Sequence, residues 1–318
     1  MLHVKRPSRC GIDLVWIIKK SDAIAYGKFT NLIFVRRIMA LHKDEAIVLF
    51  KRAYGESDKI IRLFTLKSGK IGAIAKGANK SQKRFMNTLE PFNHINVEYF
   101  ERHGKGMVRI ENADIIETNS GIETSLKKAC IAGFFTEFVD KLTKEKERHD
   151  ELFYTLKEVL KNIKHVEFTF NDILYYQLKM LETLGYMPNF NACVYCGSSI
   201  PEDKKVYFSK ERGGILCNKC SRYLPHKTYP AGVIQRLAEM RNNMDSQQNE
   251  TLHSKQYTIH DKTKHYQIET PNLKLETRNS ETLMREIMED FMSFHLDVEF
   301  KSYRILRDIV LRTLSSRQ

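Results

Sequence analysis

The sequence predicts an α+β chain: an N-terminal five-stranded barrel of the OB-fold type, then an α-helical domain with a four-cysteine zinc ribbon embedded in it. Three observations carry this prediction. Between residues 46 and 116 short apolar runs alternate with turn residues, as the strands of a small barrel do. After Thr118 the apolar repeat lengthens to the step of a helix. Finally, two CxxC pairs, Cys193/Cys196 and Cys217/Cys220, are separated by twenty residues.

The elements follow in order. Ala46 to Arg52 reads as a first strand, Tyr54-Gly55-Glu56-Ser57-Asp58 as a turn, and Ile60 to Leu66 as a second strand. Lys67-Ser68-Gly69 is a tight turn into a third, Lys70 to Lys76, and a polar loop runs from Gly77 to Asn87. Phe92 to Phe100 places Ile95, Val97 and Tyr99 on one face, and the turn His103-Gly104-Lys105-Gly106 leads into a fifth strand, Met107 to Ile116. Five short antiparallel strands suit a closed barrel, the OB-fold being the commonest; an SH3-like barrel or an open meander are the alternatives.

Ser120-x-x-Glu123 has the pattern of a capping box. The helix it opens repeats Ile122, Leu126, Cys130, Phe134, Phe138 and Leu142 every four residues, with Ile131, Phe135 and Val139 alongside, a stripe wide enough for burial on more than one side. Cys130 reads as a small core residue, and Cys10 has no visible partner. Helices are expected over Glu151–Lys164 and Asn171–Leu184, the latter with Leu174, Leu178 and Leu181 on one face and Gly185 as its C-cap. Beyond the ribbon come a helix at Ala231–Asn243, a polar insertion at Ser246–Ser280 in which 256–259 and 266–268 could pair, and closing helices at Glu281–Leu296 and Ser302–Leu314. The domains are therefore 39–118 for the barrel, 119–189 for the first helical part, 190–225 for the ribbon and 226–318 for the closing helical part. Residues 1–38 show no clear period and are expected to lie outside the working fold. Translation is expected to begin at Met39, a basic arm or an organellar targeting peptide being the other readings.

Charge narrows the function. The net charge is +13 over 318 residues, and +6 of it sits in residues 1–38. From Lys59 to Leu89 there is no carboxylate, while Lys59, Arg62, Lys67, Lys70, Lys76, Lys80, Lys83 and Arg84 supply eight positive charges. The loop from Lys76 to Arg84 has spaced cations that can follow a phosphate backbone, with Arg62 and Lys76 at nearby strand ends. Phe64, Phe85 and Phe100 are candidate stacking surfaces, though such rings are more often core. No apolar stretch is long enough to span a membrane, and no signal peptide is evident.

Four cysteines in two CxxC knuckles can converge on one zinc ion, Cys193, Cys196, Cys217 and Cys220 each giving a thiolate. Four thiolates close the coordination sphere, so the expected role is structural. The zinc-deaminase pattern, a His-x-Glu element ahead of Pro-Cys-x-x-Cys, is incomplete, since Ala192 and not proline precedes Cys193. Gly72-x-x-x-x-Gly77 begins like a P-loop, but Ala78-Asn79 stand where Lys and Ser or Thr are required. With no nucleophile elbow, paired-carboxylate motif or HExxH either, the chain is not expected to be an enzyme.

His42-Lys43-Asp44-Glu45-Ala46-Ile47-Val48-Leu49, Tyr54-Gly55-Glu56-Ser57-Asp58-Lys59 and Ile74-Ala75-Lys76-Gly77-Ala78 resemble the opening of the bacterial RecO family of recombination mediators. The succession of barrel, helices, four-cysteine ribbon and closing helices resembles it as well, over roughly 39–245 and 281–310. The resemblance implies a protein of DNA repair and recombination that binds single- and double-stranded DNA and anneals complementary strands. It implies contact with the C-terminal tail of single-strand-binding protein, and with RecR a part in loading RecA onto coated strands. It implies a cytoplasmic, nucleoid-associated location. Its DNA-contacting loop maps to Lys76, Lys80, Lys83 and Arg84, and its metal ligands to the four ribbon cysteines. The segment 1–38 and the length of the 246–280 insertion depart from the family pattern. Read from the residues alone, an RNA-binding or ribosome-associated zinc-ribbon protein stays open, since barrels and ribbons serve both nucleic acids.

Overall fold

In the computed structural model the chain is described at residues 40–80, 85–101, 106–200, 205–253 and 277–315, with side chains described up to 242 and again over 280–309. The first 39 residues, the hairpin expected over 256–268, Lys83 and Arg84 therefore lie outside the described residues.

Five strands open the fold: β1 Ala40–Tyr54, β2 Asp58–Thr65, β3 Gly69–Ala75, β4 His94–Glu101 and β5 Val108–Glu117. They close in the order β1-β2-β3-β5-β4, with β4 returning to β1 from Ala40↔Glu101 to Ile47↔His94. One seam is parallel, Ala73↔Val108 and Ile74↔Arg109 between β3 and β5. Closure and the parallel seam give an OB-like arrangement and exclude the open meander.

The strand β1 begins six residues before the expected Ala46 and does not alternate cleanly. Ala46, Ile47, Val48 and Leu49 are all buried, because this strand has a core on each face. Ala46 and Val48 face the barrel interior with Ile61, Leu63, Ile95, Val97 and Ile110, while Ile47, Leu49 and Phe64 join the helical core. A bulge lies between Val48 and Phe50, and beyond it β1 is mostly exposed. Phe85 belongs to the barrel core with Leu89, and Phe64 to the helical core, so neither ring offers a stacking surface.

The tight turn between β2 and β3 is held by Asp44, whose carboxylate accepts from the backbone N–H groups of Lys67 and Ser68 at 3.1 Å. Gly69 adopts φ 68, and a Cβ there would lie 2.0 Å from the Glu147 carbonyl oxygen. Glycine is thus required twice, for its conformation and for the approach of the 145–147 segment.

Six α-helices occur among the described residues: α1 Leu126–Leu142, α2 Asp150–His165, α3 Phe170–Thr183, α4 Ala231–His253, α5 Thr277–His295 and α6 Lys301–Ser315. They share one core with Phe134, Phe138, Phe153, Leu178, Ile287 and Phe291. The expected capping box at Ser120–Glu123 is corrected. Residues 122–124 form a short 3-10 turn in which Glu123 accepts from the Gly121 N–H at 2.9 Å, and Ser125 caps α1 by accepting from Lys128. A capping box does occur at α3, between Thr169 and Asp172. Leu126, expected in the buried stripe, is exposed. Steps of four overrun a helical turn by about 40°, so the stripe drifts off the packed face toward its N-terminal end. Gly185 ends α3 as expected: at φ 77 it donates to Glu182, and Tyr186 donates to Leu181.

The ends of the expected polar insertion are helical, α4 continuing to His253 and α5 beginning at Thr277. Between α3 and α4 a three-stranded sheet, which periodicity did not reveal, is made of β6 Lys205–Ser209, β7 Gly214–Leu216 and β8 Lys227–Pro230 in the order β7-β6-β8. Its Phe208, Ile215 and Tyr229 are buried in the helical core.

Candidate metal centre and nucleic-acid surface

The four cysteines converge. Their sulfurs lie within 4.8 Å of one another, and Cys196 Sγ is 3.7 Å from Cys217 Sγ. A tetrahedral zinc with bonds of about 2.3 Å would set its sulfurs about 3.8 Å apart. None of the four is in a disulfide.

Local backbone builds each knuckle. Gly197, at φ 73, donates to the Cys193 carbonyl at 2.8 Å, and Cys193 donates to Ser198 at 2.9 Å, so the first loop doubles back on itself. In the second, Ser221 donates to Cys217 at 3.0 Å. The knuckles are brought together by the bond from Val194 N–H to the Ile215 carbonyl, 2.9 Å. Gly214 permits this approach, for a Cβ there would stand 2.4 Å from Val194 Cγ1.

The thiols are unequal. The Cys220 backbone N–H draws the Cys217 thiol down to about 6, and Ser198 lowers Cys196, whereas burial among the other sulfurs pushes Cys220 up to about 12. So many thiolates cannot form side by side without a cation between them, and a bound divalent metal supplies one. The donor set and spacing fit a closed metal site.

The barrel's basic segment is less uniform than its charge count suggests. Lys70 is buried: its ammonium donates to the carbonyls of Asp140 and Thr143, the latter at 2.6 Å, and burial lowers its pKa. It fastens the barrel to the C-terminal end of α1, where a cation is also favoured by the helix dipole. Arg62 pairs with Asp140 at 2.5 Å and so is engaged with α1 as well. Lys76 and Lys80 are exposed, with Lys80 3.9 Å from the Glu56 carboxylate.

The loop that carries them is latched by the turn before β2. Asp58 Oδ1 accepts from the Gly77 N–H and from the Ser57 hydroxyl, both at 2.9 Å. Asn79 N–H donates to the Ser57 carbonyl at 2.8 Å, and its side-chain amide to Asp58 O at 3.2 Å. The Gly77 bond first, then Ser57, holds the Asp58 carboxyl below its ordinary pKa. Neither the Asp58 latch nor the burial of Lys70 was evident from composition. The adjacent Gly55-x-Ser57-Asp58 and Lys76-Gly77 turns were the available signal.

Comparison with known proteins now bears on this arrangement. Residues 39–119 match the family model described as recombination protein O N terminal, and residues 123–261 the one described as recombination protein O C terminal. The DNA repair protein RecO of Thermoanaerobacter sp. is 31% identical over 277 residues, covering 85% of this chain and 99% of that protein. The chain belongs to the RecO family. Other RecO relatives include that of Caldanaerobacter subterraneus subsp. tengcongensis, 34% identical over 184 residues (58% of this chain, 72% of the relative), and that of Geobacter metallireducens, 36% over 181 (57% and 73%). As a RecO-family member the chain is a DNA repair protein, and its barrel, basic loop and cysteine cluster all fall inside the matched segments. No helix among the described residues is long and apolar enough to cross a membrane.

Proposed function

We propose that this chain is a non-enzymatic recombination mediator. It binds single- and double-stranded DNA, anneals complementary strands and, with RecR, helps load RecA onto strands coated by single-strand-binding protein, whose C-terminal tail it contacts. The observation that carries this reading is the match to a RecO protein along 99% of that relative's length. In support, Lys76 and Lys80 stand exposed on a loop whose backbone is pinned by Asp58. A pinned loop presents its cations to phosphates at a smaller ordering cost than a free one. Lys83 and Arg84 follow these two in the sequence, whereas Arg62 is paired with Asp140. The location that fits is the bacterial cytoplasm, at the nucleoid.

One structural zinc is proposed at Cys193, Cys196, Cys217 and Cys220. When bound it supplies folding free energy and no open coordination position. Strand annealing measured with naked and with coated complementary strands tests the function. The expected result is salt-dependent DNA binding and faster annealing on both. Absence of salt-dependent DNA binding, or tighter binding to RNA than to DNA of matched length, would overturn it.

A further inference from the structure

The tip of the four-cysteine ribbon carries a feature that neither the metal nor the fold uses. Tyr195 is the third residue of the first knuckle and is 62% exposed, with the Arg212 guanidinium 5.8 Å from its ring centroid. Tyr223, in the turn that follows the second knuckle, is 86% exposed. Rings left so open gain nothing from the protein's own packing.

Cations surround them. Among the described residues of 190–225, Lys205, Lys210, Arg212, Lys219 and Arg222 are all exposed, against the single carboxylate Glu211. Arg212, Lys219 and Arg222 make no ion pair with any described carboxylate. Tyr195 adjoins Cys196, and Lys219, Arg222 and Tyr223 lie within three residues of Cys220, so the convergence of the four sulfurs within 4.8 Å brings these two segments of chain close together. The opposite end is sealed, since Phe208, Ile215 and Tyr229 pack into the helical core. A zinc held by four thiolates adds a formal charge of about −2. Lys219 and Arg222, close to Cys220 in the chain, offset it, and Arg212, beside the Tyr195 ring, adds a further cation.

We propose that this tip is a second nucleic-acid site, distinct from the barrel loop, which takes a single DNA strand with its unpaired bases stacked on Tyr195 and Tyr223 and its phosphates on Arg212, Lys219 and Arg222. The pairing of rings with cations selects the ligand. Every unpaired base has a face to stack, and the backbone that carries it supplies the anions. A duplex keeps its bases stacked inside and leaves both rings idle. An acidic peptide would meet the cations but not the rings. The inference rests on the DNA-binding reading above and adds to it: two strand sites on one chain bring two strands together, as annealing requires, through effective concentration.

The test uses the full chain with its metal, titrated with fluorescent oligo(dT) and with a duplex of equal length across a salt series. Tyr195→Ala with Tyr223→Ala weakens single-strand binding about tenfold for each stack removed. It leaves duplex affinity and the salt slope as they were. Arg212→Ala with Arg222→Ala lowers the single-strand salt slope by about 0.7 for each phosphate left without its cation. Zinc content and thiol reactivity equal to the parent protein show that the ribbon is intact. Should the double variant lose metal, Tyr223→Ala alone, outside the ligand spacing, must still show the single-strand loss. Unchanged single-strand affinity, an equal loss on duplex, or a loss confined to an acidic peptide probe overturns the proposal. Lys76→Ala/Lys80→Ala run in parallel separates the two readings. A parent protein without salt-dependent binding defeats the broader function, whereas weakening by the barrel variant but not by the ribbon variants defeats this inference alone.

Discussion

Chelating the metal should open the two knuckles while the β6–β7–β8 sheet stays folded. The magnitudes come from what each part of the ribbon rests on. Structural zinc contributes about 10–16 kcal/mol in small peptides that have no other core. Here Phe190, Val206, Phe208, Ile215 and Tyr229 are all buried in the helical core. At about 1.5–3 kcal/mol for each buried side chain, these five supply about 7–15 kcal/mol of burial before ordering costs, a quantity comparable to the metal's. The knuckles have no such support, for Tyr195, Cys196, Gly197, Asn218 and Lys219 are exposed and lean on the cluster itself. Hydrogen exchange with and without chelator, read by peptide mass spectrometry, measures the difference directly. The expected result is a large rise in exchange over 192–199 and 217–223, free thiol reactivity at all four positions, and little change over 205–209 and 227–230. Cooperative loss of protection across α3, α4 and the sheet would refute the reasoning, as would protection of the knuckles unaltered by chelation.

Replacing Lys76, Lys80, Lys83 and Arg84 together by alanine should weaken DNA binding and reduce its log–log salt slope on single strands by about 0.7 for each phosphate no longer neutralised; an unchanged slope would mean these cations are merely solvated. The Asp58 latch should be pH-sensitive. Its carboxyl pKa is lowered in the folded protein, so its contribution is fully present above the ordinary carboxylate range and is lost as pH falls through the depressed value. The Gly77 amide resonance should report this titration, and Asp58→Asn should abolish it; an identical titration in the variant would refute the assignment. Gly69→Ala should destabilise the protein by about 1–3 kcal/mol from backbone strain, and more if the Glu147 carbonyl cannot retreat from the added Cβ. Urea denaturation measures that cost, and a midpoint equal to the parent's would contradict it.

Periodicity and spacing determined much of this protein without coordinates. The five strands follow from turn chemistry and, outside β1, from alternation, because a strand with one buried face repeats every two residues. The face of α3 at Leu174, Leu178 and Leu181 and its glycine cap follow from the same kind of local rule. The metal site was legible because two CxxC knuckles are built from neighbouring residues, and their convergence needed only a short excursion between them.

What tertiary structure alone decided depends on residues distant in the chain. β1 departs from alternation because the helical core covers its second face, and Ser125 displaces Ser120 as the cap because Ile122 is drawn into that core. The β6–β7–β8 sheet has strands too short to show a period, and packing against the helices is what stabilises it. Charge counting assigned Lys70 and Arg62 to a basic surface, yet both are turned toward Asp140, 70 and 78 residues away. A sequence states which charges exist, but the pairing of each depends on the packing that sets it beside a partner or leaves it in water.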